Sequence, residues 1–166
     1  MEKLTGLNKL KTAVFISGNG SNFKNLLKFS KIKEAPISIN LVISNVNKAK
    51  GLKYADQINV KKKIFNFKDI EAEKKILTLL KKEKINFICL AGFMKILSKN
   101  FIKKFDGKII NIHPSLLPKY KGLNTHHRAI INKDKFAGCT VHYVTEKIDS
   151  GKIIMQKKIK ITSKDN

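Results

Sequence analysis

Short apolar runs alternate with amphipathic stretches along the whole chain. Thr12–Ser17 (TAVFIS) is apolar through its middle and closed by Gly18 and Gly20, the pattern of a buried strand. Asn22–Phe29 then places Phe23, Leu26 and Leu27 on one side of a short helix. Ser38–Ser44 (SINLVIS) predicts the next strand, Lys48–Ile58 a helix, and Lys63–Phe65 a weak short strand. Ile70–Lys84 carries the clearest helical signal, with Ile76, Leu77 and Leu80 in a stripe and lysines turned outward. Phe87–Ala91 reads as a core strand ending at Gly92, Lys99–Phe105 as a helix and Lys108–His113 as a strand. A helix over Thr125–Asn132, an alternating strand over Cys139–Val144 and a half-exposed strand over Ile153–Ile161 complete the series.

Strand and helix in alternation at this spacing predict an α/β fold: a doubly wound, mostly parallel, twisted sheet with helices on both faces. The 166 residues, with neither repeat nor linker, are read as one domain over 1–166. In such sheets ligands gather beyond the carboxyl ends of the strands, so chemistry is sought just after strands.

Composition narrows the class. Hydrophobic residues at 42% and charged ones at 28% describe an ordinary folded chain. No apolar run is long enough to cross a bilayer, and Met1–Lys11 is too polar for a signal peptide. Cys89 and Cys139 lie in separate strand-like segments and are read as reduced and buried, which indicates a cytoplasmic protein. Lysine and arginine number 35 against 12 acids, a net charge of +23, yet Arg128 is the one arginine. Base readout leans on the arginine fork. Lysine spread over the whole chain is instead a solvated surface that favours anionic small substrates, with no specific nucleic-acid partner.

Gly18-Asn19-Gly20-Ser21-Asn22 joins the first strand to the first helix. Backbone N–H groups at a helix start, helped by the Ser21 hydroxyl, suit a phosphate. A dinucleotide fingerprint needs a third glycine where Phe23 stands, so a phosphate monoester is the better match. A tight turn with a helix cap is the lesser alternative for this loop taken alone. Asn111 and His113 share one face at the end of a strand, ahead of Pro114 and Pro118, the latter a candidate for a cis bond. An amide donor beside an imidazole suits a developing oxyanion; taken alone, a satisfied histidine at a strand end is the plainer alternative. Asp149, in a turn closed by Gly151, is a carboxylate able to reach that imidazole; a solvated turn aspartate is the plainer alternative. His126 and His127 point apart on a helix and no Cys/His spacing appears, so no metal is expected. Phe93 and Met94 read first as packing groups.

Five segments occur in order: Ser17–Asn22 (SGNGSN), Leu90–Met94 (LAGFM), Asn111–Tyr120 (NIHPSLLPKY), Gly122–His126 (GLNTH), and Val141–Thr145 with Asp149-Ser150-Gly151. Together they closely resemble the phosphoribosylglycinamide formyltransferase family, over about Thr12 to Ile161. The resemblance implies transfer of a formyl group from 10-formyltetrahydrofolate to the amino group of glycinamide ribonucleotide in purine synthesis, with no metal. It implies that Gly20, Ser21 and Asn22 hold the ribonucleotide phosphate. Met94, Lys95, Ile96, Leu97 and Asn111 fall on the folate side, and Asn111, His113 and Asp149 perform the catalysis. Lys95 stands where the family often has arginine, and the expected basic residue before the Ile70–Lys84 helix is matched only by Lys68. The chain also stops short of the family's usual C-terminal segment. That makes a non-catalytic folate- or phosphate-binding relative the alternative. Methionyl-tRNA formyltransferase shares the Asn-x-His and Asp features, but it needs a tRNA-binding domain that 166 residues do not accommodate.

Overall fold

The computed structural model describes residues 9–162 and 165. Among these residues, twelve elements follow one another in the predicted order. They are β1 (Leu10–Ile16), α1 (Ser21–Ser30), β2 (Ile37–Ser44), α2 (Leu52–Asp56), β3 (Lys61–Ile64), α3 (Ala72–Lys82), β4 (Phe87–Leu90), α4 (Lys99–Lys104), β5 (Lys108–His113), α5 (Thr125–Ile131), β6 (Phe136–Tyr143) and β7 (Ile153–Lys160). The strands form one sheet in the order β3-β2-β1-β4-β5-β6-β7. Pairing is parallel from β3 through β5 and antiparallel for β5 with β6 and β6 with β7.

The middle strands are apolar on both faces because helices cover both. On β1, Ala13 and Phe15 join a cluster that includes Ile76 and Leu80 of α3 and Phe101 of α4. Val14 and Ile16 point the other way, into a cluster with Phe23 and Leu27 of α1 and Leu52 and Ala55 of α2. Phe15, Phe23 and Phe101 are fully buried, each worth about 1.5–3 kcal/mol relative to exposure. α4 starts at a Ser98 cap, whose hydroxyl accepts from the Phe101 N–H at 3.0 Å.

Some boundaries and burials differ from the expectation. The helix expected over residues 48–58 contracts to α2, and β6 begins at Phe136 rather than Cys139. Every position of β7 is exposed, where a half-buried strand was expected. Cys139 is exposed as well, which corrects its reading as a buried thiol. The buried positions of β6 are Thr140 and His142, on the face opposite Cys139, and neither core cluster extends along this strand. Cys89 is buried, and burial pushes its thiol up to about 12. At the other margin, the all-lysine start of exposed β3 (KKKI) disfavours pairing with a second sheet. No helix among the described residues is long and apolar enough to cross a membrane.

Candidate active site

Three loops leave the carboxyl ends of β1, β4 and β5, which are adjacent in the sheet. Ser17 ties the first two together. Its backbone N–H donates to Gly92 O at 3.1 Å, and its hydroxyl accepts from the Met94 N–H at 2.7 Å. The same hydroxyl donates to Asn45 Oδ1 at 2.5 Å, bringing in the loop after β2. Ser17 was not among the residues singled out for function. Its position as the last residue before the glycines was the available signal.

Gly20 caps α1 with φ +74°, a conformation that favours glycine. A Cβ there would lie 2.6 Å from Gly51 Cα at the start of α2. The glycine is therefore required first by the packing of two loops, a reason distinct from ligand approach. The exposed Ser21 and half-buried Asn22 follow in the first turn of α1, which holds no acidic residue. The backbone N–H groups ahead of Lys24, the first to bond back into the helix at Gly20 O, face the loop.

Beyond β4, Met94 and Ile96 are 65% and 73% exposed, and Lys95 lies between them, also exposed. The next residue, Leu97, turns inward. Its side chain is buried with Phe101 in the core, so only its backbone is left to face a ligand.

Asn111 and His113 do share one face of β5, as period two requires, and His142 of β6 lies opposite Asn111. β6 runs antiparallel, so its end lies beside the start of β5, where the Val144 N–H donates to Ile109 O at 2.9 Å. The loop carrying Asp149 therefore departs from the far end of β5, not from the carboxyl edge, and folds back over the sheet. Its carboxylate still arrives at the histidines. Asp149 Oδ2 is 3.4 Å from His113 Nδ1, and Oδ1 is 3.5 Å from His142 Nε2. The Gly122 N–H donates to Oδ2 at 2.8 Å, and Lys121 Nζ donates to Ser150 Oγ at 2.6 Å, so the two covering loops are stitched together. Asp149 has φ +45°, which aspartate and asparagine tolerate better than most residues.

The loop after β5 is pinned from below. Thr140 Oγ1 accepts from the Leu117 N–H at 3.1 Å and donates to Ser115 O at 2.6 Å. Gln156 of β7 donates to Leu117 O at 2.8 Å. The Leu117–Pro118 peptide is cis.

Electrostatics couple the buried groups. Burial by itself would lower the His142 pKa. The hydrogen bond to Asp149, the Tyr143 carbonyl at 2.9 Å from Nδ1 and the charge of Asp149 outweigh it and hold the imidazole above its usual range. Burial would raise Asp149, but hydrogen bonds from His142 and Gly122 and the charges of both histidines hold it below the usual carboxylate range. His142 Nε2 also lies 3.4 Å from Asn111 Nδ2. A neutral Nε2 accepts from that amide, and a protonated one turns its N–H to Asp149. His142 was not singled out from the sequence, although it sits in the quoted Val141–Thr145 segment.

With this geometry in place, comparison decides the family. A model described as formyl transferase matches residues 10–166. The chain is 43% identical over 160 residues to the phosphoribosylglycinamide formyltransferase of Haemophilus influenzae, covering 94% of this chain and 76% of that protein. The chain belongs to the phosphoribosylglycinamide formyltransferase family. It is also 39% identical over 161 residues to the human trifunctional purine biosynthetic protein adenosine-3, of which it spans only 16%. The crystal structure of glycinamide ribonucleotide transformylase 1 from Symbiobacterium toebii superposes with a TM-score of 0.92 at 30% identity, over 100% of this chain and 80% of that one. The α/β sheet described above is thus the fold of the family.

Proposed function

We propose that this chain transfers the formyl group of 10-formyltetrahydrofolate to the amino group of glycinamide ribonucleotide, in the cytoplasm, as a step of purine synthesis. The observation that carries the reading is the convergence of Asn111, His113 and Asp149 on one sheet face, with Asp149 between two histidines. Family membership supplies the reaction class.

The amine nitrogen forms a bond to the formyl carbon, and the carbonyl oxygen becomes an oxyanion. Asn111 Nδ2 donates to it, an interaction that strengthens as charge develops. The pair of Asp149 and His113 holds a proton at the His113 Nδ1 side and compensates the charge. The bond from the formyl carbon to N10 of the folate then breaks. One proton leaves the amine and one reaches N10, so the pair ends as it began. Asp149, held ionised, can accept from His113 Nδ1, 3.4 Å away, whenever that nitrogen carries a proton.

Gly20, Ser21 and Asn22 hold the ribonucleotide phosphate, supported by the free N–H groups and the acid-free first turn of α1. Met94, Lys95 and Ile96, with the backbone of Leu97 and the amide of Asn111, face the folate. The exposed apolar pair Met94 and Ile96 offers surface to its flat ring system, and Lys95 offers charge to its carboxylates. The net charge of +23 raises the local concentration of both anions.

Incubation of the purified chain with both substrates, with the formylated ribonucleotide read by mass spectrometry, tests the reading. Product formed by the chain and lost in Asp149→Asn supports it. Binding of both ligands without turnover would mark a non-catalytic relative instead.

A further inference from the structure

His113 reaches beyond Asp149. Its Nε2 lies 2.9 Å from the backbone oxygen of Tyr120. A carbonyl can only accept, so Nε2 carries the hydrogen. Which nitrogen of a histidine is protonated is set by the bond the other makes. With Nε2–H committed to Tyr120, the nitrogen left to exchange a proton is Nδ1, the one facing Asp149.

The Tyr120 carbonyl is held by an unusual arrangement. Tyr120 has φ +56°, a left-handed conformation that is unfavourable for a non-glycine residue and persists only where its surroundings impose it. Asp134, in the turn between α5 and β6, gathers two of the side chains of this segment. Tyr120 Oη donates to Asp134 Oδ2 at 3.0 Å. Lys119 Nζ donates to both Asp134 oxygens, at 3.0 and 3.1 Å. The Arg128 guanidinium lies 5.0 Å from the centre of the Tyr120 ring, and its NH1 group donates to Lys121 O at 2.8 Å. Ser115 Oγ donates to Lys119 O at 2.6 Å. Residues 119, 120 and 121 are thus held by Asp134, Arg128 and Ser115. Hydrogen bonds from Lys119 and Tyr120 keep Asp134 below the usual carboxylate range, so it remains an acceptor.

We propose that Tyr120 and Asp134 are positioning residues: a clamp that fixes a backbone carbonyl on His113 Nε2 and so confines proton exchange to Nδ1. The proposal rests on the formyl-transfer reading for its catalytic consequence, and on geometry alone for the state of the ring. An ordinary exposed ion pair contributes little. The Asp134 side chain is only 17% exposed and also receives the tyrosine hydroxyl, whose own residue carries the carbonyl in question. Relaxation has somewhere to go when the clamp is opened. A half-open pocket of about 330 Å³ is lined in part by Ser115, Tyr120, Asp134 and Phe136.

Tyr120→Phe deletes one hydroxyl and keeps the ring under Arg128. The expected result is a kcat lower by about fivefold, the worth of one net hydrogen bond, with both KM values within about twofold. Long-range 1H–15N correlation spectra of the imidazoles, assigned against His113→Asn and followed to alkaline pH where the rings are neutral, should show one Nε2–H form of His113 in the parent chain. In the variant they should show mixed tautomers. Asp134→Asn, a weaker acceptor of the same shape, should move both readouts in the same direction and serves if Tyr120→Phe does not fold. A His113 ring pattern unchanged in the variants overturns the clamp, as does a change confined to the KM values. If the parent chain transfers no formyl group, the reaction reading fails, and the ring pattern still decides the clamp.

Discussion

Asp149 Oδ1 lies 3.5 Å from His142 Nε2, while the other oxygen of the same carboxylate faces His113. One acid thus serves two histidines on neighbouring strands. That relationship makes His142 part of the site and sets the first expectation.

The paired charges of His142 and Asp149 link stability to pH. His142 has a raised folded pKa, so its contribution is fully present below the unfolded imidazole value of about 6.5 and is lost as pH rises through the folded one. Asp149 has a lowered folded pKa, so its contribution is present above the unfolded value of about 3.9 and is lost as pH falls through the folded one. His142→Gln should melt a few degrees below the parent chain between about pH 4 and 6.5, with the gap closing at higher pH. Melting curves across pH measure this. Parallel curves at all pH values would show that the pair carries no charge-dependent stability.

Asp149→Asn removes the charge and retains an oxygen for the Gly122 N–H and a side chain tolerant of positive φ. The fold should therefore survive, while kcat drops by about 10²-fold or more, as for loss of an acid–base group. Steady-state kinetics beside a thermal melt separate the two effects. A variant with parental kcat would reduce Asp149 to a turn residue.

Asn111→Leu keeps volume on a half-buried strand position and deletes the amide donor. With one oxyanion donor removed, kcat should fall by about 10²–10³-fold, with KM changed far less. Equal losses in kcat and in ligand affinity, measured by calorimetry, would assign Asn111 to ground-state binding.

Gly20 and Ser21 should respond differently although they are neighbours. Gly20→Val combines positive-φ strain with a Cβ against Gly51 Cα and should cost about 2–4 kcal/mol in denaturant unfolding. Ser21→Ala should leave stability unchanged and raise the KM for the ribonucleotide by about fivefold, with the folate KM constant. A matching rise in the folate KM would argue against a phosphate site at the start of α1.

Local pattern determined most of the architecture. Runs such as Thr12–Ser17 and Phe87–Ala91 need burial on both faces, and stripes such as Ile76, Leu77 and Leu80 need one, so element type and order follow from periodicity. Asn111 and His113 were legible as a pair because a strand places i and i+2 on one face. Tertiary structure decided the rest, because those relationships join residues with no fixed spacing. The antiparallel turn of β6 placed His142 against Asn111 and sent the Asp149 loop back across the sheet. The close approach of Gly20 to Gly51 joined two loops 31 positions apart. Exposure of Cys139 depended on which sheet face the helices left uncovered, and nothing in the alternation along a single strand specifies its neighbour.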